Sequence, residues 1–541
     1  MELDLIILNG RIIDGAGNPW FETDVGIKDG RIRIIGKHRK EDAKTSIDVS
    51  GHFVTPGFVD AHSHGDFNTL VYRDMENIIH QGITTVIAGQ CGSSPAPISD
   101  LSREETQQAY DVDLPEGIDL NITWSSFDEY LKKEEQEGLG ANVGHLVGHG
   151  AIRAASMGYE AREPSKNEID LMREYTVEAM RSGAFGISTG LIYPPGIYAK
   201  TEEIIDLAKV AREYGGIYAS HIRGEGKTLM TALNEALEVG VKANIPVQIS
   251  HHKIASNSLW GKSVQTLEMF EKARENGLDV TIDQYPYKAG STSLMTLLPP
   301  WALDGGREKA LERLRDLELR PRMKKDISEG IEGWENFAGE LGWENVYVTS
   351  VVTEENKSVE GLNLKEIKNL RGSEDEFTAL YELLIEEEGG AGMVIFYGSE
   401  DDVTRIMKHS LHMVGTDAGC CTVEGPFCKG KPHPRHYGTY PRILGKYVRE
   451  EGVISWTNAV RKMTSFPAQR FSVYDRGLLR PGMWADITII NPSTVIDNAT
   501  YQDPHQFPSG IPYVIINGEI VISEGKFTGK RAGKTLRKPV Y

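Results

Sequence analysis

The sequence predicts an α/β protein whose central domain is a TIM (β/α)8 barrel, and three observations support this prediction. The middle of the chain alternates short apolar runs with amphipathic segments of helical period, which indicates parallel strands joined by crossover helices. Eight such apolar runs can be counted, the number that a TIM barrel requires. Both chain ends carry only short β-like runs separated by glycine and aspartate, which predicts a smaller β region outside the barrel.

The β region at the amino end covers residues 1–55. It contains DLIILNGRIIDG and DVGIKDGRIRIIG, and Asp29-Gly30 lies between two strand-like runs, which is typical of a hairpin. The last segment, residues 476–541, has the same character in GMWADITIINPS and IPYVIINGEIVISEGKFTG. We therefore expect strands at both ends and a barrel between them, over residues 56–475.

The eight candidate barrel strands each end in polar, glycine or catalysis-capable residues. Chemistry in a TIM barrel gathers at the carboxyl ends of the strands, so residues far apart in sequence would meet at one mouth. The runs end at FVDAHSH, TTVIAGQC, VGHLVGHG, AFGISTGL, IYASHIR, VQISHHK, VTIDQYP and HMVGTDA.

An insertion near the barrel mouth is predicted at about residues 299–389. This span is too long for one connection, and it is charged and helical in character, as in REKALERLRDLELRPRMKKDISEGIEGW. It predicts a lid or a wall of the substrate pocket. A solvated helical excursion or an oligomer contact is an equally good interpretation.

Composition restricts the class of protein. Of 541 residues, 40% are hydrophobic and 25% are charged, which is typical of a globular protein. The net charge of −19 argues against general binding of nucleic acid or of an anionic membrane surface, both of which need a basic face. Four cysteines do not make a disulfide framework, and neither a signal peptide nor a long apolar run is found. We therefore expect a cytoplasmic protein, and the oligomeric state stays open.

Side chains suited to metal binding follow several of the predicted strands. Residues i and i+2 of a strand point the same way, so the imidazoles of His62 and His64 would face the mouth together. Thiolates and imidazoles are typical zinc ligands, and a carboxylate can serve as a ligand or as a base. Such groups also end the second, fifth, sixth and eighth runs, at Cys91, His221, His251 and Asp417.

These motifs resemble those of the amidohydrolase superfamily and, within it, the N-acyl-D-amino-acid deacylases, or D-aminoacylases. VTPGFVDAHSH is similar to the first-strand signature of the superfamily, and SFPAQRFSVYDRGLLRPGMWADITIINP is similar to its carboxyl-terminal signature. SHIRGE, SHHK, YPYKAGSTSL and HPRHYGTYPR resemble deacylase segments. The fourth run, AFGISTGLIYPPG, lacks the bridging carboxylated lysine of many superfamily members, and Cys91 resembles the cysteine ligand of the deacylases.

The resemblance implies a fold and a reaction. Both chain ends would meet in one small β-sandwich domain beside the barrel. The activity would be zinc-dependent hydrolysis of the amide bond of N-acyl-D-amino acids, which gives a carboxylate and a free D-amino acid. The tight zinc would be held by Cys91, His221 and His251, a second and weaker site would use His62 and His64, and the general base would be Asp417.

Recognition of the amino-acid carboxylate needs local cations in this acidic chain. Arg223 and Lys253 each lie two residues after a candidate ligand histidine, and that spacing keeps them on the same side. An alternative for Arg223 is a salt bridge with the adjacent Glu225. The resemblance favours Tyr193 near the scissile carbonyl, and for the carboxylate it favours Lys253, Tyr285, Ser291 and Arg435.

Other interpretations remain open at this point. A related amidohydrolase would act on a D-amino-acid-containing dipeptide, another linear amide or a cyclic amide, although the missing lysine counts against the cyclic branch. A non-catalytic barrel scaffold would have no need of stoichiometric zinc. The loop AGCCTVEGPFCKGKPHPRHYG departs from the deacylase pattern and leaves the substrate's identity open, together with the roles of Cys420, Cys421 and Cys428.

Overall fold

A computed structural model describes residues 2–115 and 117–539 of the chain. Met1, Val540 and Tyr541, which belong to the predicted terminal segments, lie outside the described residues, as does Glu116. The protein is a mixed α/β structure with two parallel sheets, one large sheet from the chain ends and one small antiparallel sheet.

The two parallel sheets contain all eight predicted runs. We call these strands the first to the eighth parallel strand in chain order, and the third consists of two pieces on either side of Leu146. All of them are buried, as expected for parallel strands covered on both faces. The strands are Phe58–Asp60, Ile83–Ala88, Asn142–His145 with Val147–Gly148, Gly186–Gly190, Ile217–His221, Val247–Ile249, Val280–Gln284 and His412–Val414.

The first parallel strand also lies beside the eighth. The backbone N–H of Ala61 donates to Val414 O at 3.2 Å, and that of His64 donates to Ala418 O at 2.9 Å. A short strand from the carboxyl end, Thr535–Leu536, pairs in parallel with Asn142–His145. These bonds bring the carboxyl ends of the first and eighth strands to the same place.

Helices connect the parallel strands and cover the sheets. Two of them begin with capping boxes at Ser126 and Ser165, in which a serine hydroxyl and a glutamate three residues later satisfy the free backbone groups. Within the described residues, none of the helices combines the length and apolar character that a membrane span requires. The helices are Glu76–Ile79, Arg103–Asp113, Phe127–Glu134, His149–Met157, Lys166–Ser182, Thr201–Glu213, Leu229–Ala243, Ser263–Glu275, Glu400–Lys408, Arg435–Arg442, the π-helix Ile443–Glu450, Trp456–Met463 and Ser465–Arg470.

The chain ends form one nine-stranded sheet. Phe53–Pro56 pairs antiparallel with Ile487–Ile490 and so joins the amino-terminal strands to the carboxyl-terminal ones. The predicted hairpin is present, with Asp29 and Gly30 at φ 52° and 73°. The other strands are Leu3–Ile12, Phe21–Lys28, Arg31–Ile35, Ala43–Asp48, Tyr513–Ile516, Glu519–Ser523 and Lys526–Phe527.

The insertion follows the seventh parallel strand and contains more than the helices that the sequence predicts. Val346–Ser350 is a strand, and it pairs antiparallel with Gly392–Phe396, which in turn pairs with Ala289–Ser293. Both partners lie outside residues 299–389, so the sheet depends on long-range pairing that no local pattern reveals. The helices, packed on an apolar core of their own, are Arg307–Arg315, Arg320–Glu329, Phe337–Leu341, Leu364–Arg371 and Glu376–Glu386.

Candidate metal-dependent active site

One thiol and two imidazoles meet at the carboxyl ends of the parallel strands. Cys91 follows the second strand, His221 ends the fifth and His251 follows the sixth. Cys91 Sγ lies 3.4 Å from His251 Nε2, which lies 2.9 Å from His221 Nδ1. We call these three residues the thiol cluster. Their potential ligand atoms all lie within 4.8 Å of one another, as one shared metal ion requires.

A second group lies on the other side of Cys91. His62 Nε2 is 3.4 Å from Cys91 Sγ and 3.4 Å from Asp417 Oδ1, and His64 Nε2 is 3.0 Å from the same carboxylate oxygen. We call His62, His64 and Asp417 the carboxylate cluster. With Cys91, its members also offer ligand atoms within 4.8 Å of one another.

The backbone is strained at three of these positions. Cys91, His251 and Asp417 have φ values of 53°, 35° and 53°, in the left-handed region that costs ordinary residues roughly 1–3 kcal/mol each. Hydrogen bonds hold two of these turns: the N–H of His251 donates to Asp283 Oδ1 at 2.7 Å, and the N–H of Asp417 donates to His62 O at 2.8 Å. The surrounding structure thus fixes the direction of each side chain.

The protonation states suit metal binding. Burial lowers the pKa of both His221 and His251 well below the usual range, so both rings are neutral at neutral pH, which is the form that binds metal. Burial raises the pKa of the Cys91 thiol, so a metal ion would have to displace its proton. His221 Nε2 is buried without a hydrogen-bond partner among the described residues. One thiol and two neutral imidazoles are a donor set that zinc accepts, so these residues fit the ion.

Asp417 is an ionised carboxylate in a buried place. Burial opposes its ionisation, but the charges of Arg435 and His62 and a hydrogen bond from His64 outweigh burial and hold the pKa of Asp417 well below its usual range. Arg435 Nη1 lies 2.8 Å from Asp417 Oδ2. The carboxylate is therefore ionised at neutral pH.

Two further carboxylates, which the sequence analysis did not include in the site, support these clusters. Glu225 Oε1 lies 3.1 Å from His251 Nδ1 and accepts a hydrogen bond from Lys253 Nζ at 2.5 Å. Asp283 Oδ1 lies 3.2 Å from His62 Nδ1 and accepts the N–H of His251. Carboxylates behind ligand histidines orient the rings and raise their basicity. Asp283 ends the seventh run, DVTIDQYP, so its position at a strand end was the available signal.

Five of the six predicted substrate-binding residues line a cavity of about 270 Å³ beside the clusters, which also contacts Phe67, Ile192, Phe337 and Ile395. Thr292 Oγ1 donates to Tyr193 OH at 3.1 Å, which leaves the Tyr193 proton free to be donated. The guanidinium of Arg435 lies over the Tyr285 ring at 4.8 Å and donates to Ser291 O at 3.2 Å. Lys253 is the fifth predicted substrate-binding residue that lines this cavity.

Arg223 is the predicted residue that the structure does not place in this cavity. Its guanidinium donates to both carboxylate oxygens of Glu235, at 2.9 and 2.8 Å, and to the carbonyls of Ile197 and Ala199. The sequence suggested Glu225 as the alternative partner, but Glu225 is occupied by Lys253. These four hydrogen bonds hold the Arg223 guanidinium against Glu235 and the backbone, and Arg223 does not line the cavity.

Two other lining residues were missed because they lie in and beside the insertion. Tyr397 OH is 2.7 Å from Tyr285 OH, and Phe337 belongs to a short insertion helix. Their place at the cavity depends on how the insertion packs on the parallel strands, which no motif in the sequence indicates.

Comparison with known proteins agrees with this geometry. Residues 45–522 match the Amidohydro_3 model, the amidohydrolase family. A D-aminoacylase of Alcaligenes xylosoxydans xylosoxydans is 36% identical over 535 residues, which cover 99% of this chain and 98% of that protein. A solved D-aminoacylase structure, described for its binuclear metal centre with one-metal activation and second-metal attenuation, superposes with TM-score 0.82 at 34% identity. That match covers 99% of this chain and 100% of the other.

A second solved structure is as similar in fold. It is an N-acyl-D-glutamate deacylase from Bordetella bronchiseptica in complex with zinc and a phosphonate inhibitor that mimics the tetrahedral intermediate. The TM-score is 0.82 at 32% identity, and the match covers 99% of this chain and 100% of that one. With a family match over most of its length and relatives similar over nearly all of it, the chain belongs to the amidohydrolase family.

Proposed function

We propose that this protein hydrolyses the amide bond of N-acyl-D-amino acids in a zinc-dependent reaction and releases a carboxylate and a free D-amino acid. The observation that carries the proposal is the thiol cluster, which lies directly beside the ionised Asp417 within one cavity. The full-length similarity to a D-aminoacylase supports the choice of substrate class. A metal site beside a carboxylate base is an arrangement that can hydrolyse amides.

Zinc is the ion that the donor set favours. Cys91, His221 and His251 would hold the tight ion, and His62 and His64 would hold a second, weaker one. When bound, the ion would polarise the amide carbonyl and lower the pKa of a water molecule. The binuclear centre of the solved relative supports the second position.

The side chains of this protein handle the protons and orient the substrate. Asp417 would accept a proton from the attacking water and then deliver it to the leaving amine, because an amine leaves poorly without protonation. Tyr193 would donate its free proton toward the carbonyl oxygen. Arg435, Lys253, Tyr285 and Ser291 would bind the carboxylate of the amino acid, and Arg223 is left out of this role because its hydrogen bonds are made elsewhere.

The architecture is part of the proposal. We infer that the two parallel sheets form one closed eight-stranded barrel, because the N–H of Phe185 donates to His145 O between them on one side, and the first and eighth strands are bonded on the other. The terminal segments 1–55 and 476–541 would form a separate sandwich domain, except for Thr535–Leu536, which pairs with a parallel strand, and residues 56–475 would form the catalytic domain. A cytoplasmic location remains a prediction.

The first test measures amine release by zinc-loaded protein from N-acetyl-D-methionine and N-acetyl-L-methionine. We expect release from the D form alone. Release from both would contradict the stereochemical part of the proposal. Release from neither would contradict the substrate class and would direct the search to dipeptides and cyclic amides.

A further inference from the structure

A second cavity, of about 230 Å³, adjoins the first one at the thiol cluster. The two cavities share Phe67, Cys91, Ser93 and Tyr193, so these residues form the border between them. The second cavity extends away from this border between the helices Arg103–Asp113 and His149–Met157. The proposed function so far assigns no part of the substrate to it.

The positions of the charges decide which end of a substrate can enter this cavity. Lys253 and Arg435, the cations proposed to bind the carboxylate, line the first cavity. In the part of the chain that the structure describes, no lysine or arginine lines the second. With the carboxylate on one side and the scissile carbonyl at the border, the second cavity is the space that continues beyond the carbonyl carbon.

The walls of the second cavity suit an uncharged group. They include the side chains of Pro97, Ile98, Ala109, Ala151 and Pro194. Two of the hydroxyls along the wall already donate inside the protein: Ser94 donates to Ala96 O, and Thr106 donates to Ser102 O.

Glu105 is the carboxylate that lines the second cavity, and it also bears on the charge of the acyl group. Glu105 accepts the N–H of Arg307 at 2.8 Å, and burial raises its pKa. A second carboxylate brought beside it by a dicarboxylic acyl group would find no lysine or arginine among the described lining residues to pair with. The cavity therefore disfavours an anionic acyl group.

The cavity is also larger than an acetyl group needs. About 10–15 Å³ of such cavity volume is enough to hold a water molecule, which is similar in size to a methyl group. An acetyl methyl would therefore leave most of the 230 Å³ unfilled, whereas an unbranched chain of several carbons would fill it.

We propose that this second cavity is an acyl-chain subsite, and that the protein prefers N-acyl-D-amino acids whose acyl group is an uncharged chain of about four to eight carbons. The inference rests on the proposed function. It adds the chemical class of the acyl group, which neither the sequence motifs nor the relatives' names specify.

The test compares kcat/KM for N-acetyl-, N-butyryl- and N-hexanoyl-D-methionine. We expect a rise of at least ~tenfold from acetyl to hexanoyl, because each methylene removed from water is worth about fourfold. Equal values for acetyl and hexanoyl would overturn the subsite and leave the proposed function standing. Absence of release from every member of the series would instead overturn the proposed function.

Variants locate the effect in the cavity. Ala109→Leu and Ala151→Leu add bulk from opposite walls at half-buried positions, and each should reduce the hexanoyl-to-acetyl ratio at least ~fivefold by excluding about one methylene or more. Glu104→Leu adds the same side chain on the same helix at an exposed position outside the lining, and it should keep the wild-type ratio. An unchanged ratio in both alanine variants would overturn the proposal.

A binding measurement gives a second readout that does not depend on turnover. By titration calorimetry, hexanoate should bind the wild-type protein more tightly than acetate, and Ala109→Leu should remove the difference. Equal affinity of the two acids for the wild-type protein would contradict the subsite.

Discussion

The thiol cluster and the carboxylate cluster both lie within ligand distance of Cys91 Sγ but differ in exposure and in charge. His221 and His251 are buried and neutral, with exposed fractions of 5% and 3%. In the carboxylate cluster the His64 side chain is 26% exposed, and the charge of Asp417 is already balanced by Arg435. Neighbouring ligand sets therefore need not be equivalent. The thiol cluster offers buried, neutral donors to a metal, whereas water and Arg435 compete for the donors of the carboxylate cluster.

The largest effect should come from the Cys91 thiol. Cys91→Ala removes a donor from the thiol cluster, so we expect loss of the tightly bound zinc and a fall in activity of more than ~100-fold, since even the loss of a residue behind a ligand costs 10–100-fold. Elemental analysis of the purified variant measures the metal. A full equivalent of zinc would show that the thiol cluster is not the tight site.

Asp417 should separate catalysis from metal binding. Asp417→Asn keeps the size of the side chain but removes the proton acceptor, so kcat should fall by ~100-fold or more while the tight zinc stays bound. Steady-state kinetics and zinc content of the same preparation provide the comparison. Near-normal turnover would exclude Asp417 as the base.

The supporting carboxylates allow a matched comparison of the two clusters. Glu225→Gln should weaken zinc binding to the thiol cluster about 10–100-fold, because His251 loses the carboxylate behind its Nδ1. Asp283→Asn alters the contact with His62 as well, so it should affect the second ion more than Glu225→Gln does. Zinc competition against a chelator measures both. If each variant weakened the binding of both ions equally, the two clusters would not be separate metal sites.

The smallest effect is expected at the exposed end of the carboxylate cluster. His64→Ala should abolish binding of the second ion, leave the first in place and change kcat/KM by less than about tenfold, the smaller end of the range for metal-site partners. Metal titration followed by activity gives the result. Loss of the first ion in this variant would mean that the clusters act as one site.

The sequence predicts the parallel strands and most of the site for one physical reason. A buried parallel strand must be a short apolar run, and its carboxyl end must return to polar residues, so strand ends such as Cys91 and His221 can be read directly. Glu225 and Asp283 were missed because their function depends on contacts with ligand histidines across strands. The strand Val346–Ser350 was missed because its partner lies outside the predicted insertion.

Arg223 is a residue that the sequence assigned to the site and the structure does not place there. Its spacing from His221 correctly places it after the same strand, but spacing says nothing about which carboxylate is nearer. Glu235, on the following helix, lies within hydrogen-bond distance and binds the guanidinium in a bidentate pair. Long side chains near a strand end are therefore predicted less well than the ligands themselves.

The pairing of Thr535–Leu536 with Asn142–His145 has a consequence for how the protein is made. At roughly 5–20 residues per second, the ribosome releases Thr535 about 20–80 s after the strand that it completes. During that interval the edge of Asn142–His145 has no partner, and the buried Glu134, which accepts the Thr535 hydroxyl at 2.8 Å, lacks this donor. The nascent chain thus leaves this side of the strand unpaired until Thr535 and Leu536 have been synthesised, and unpaired sheet edges promote aggregation.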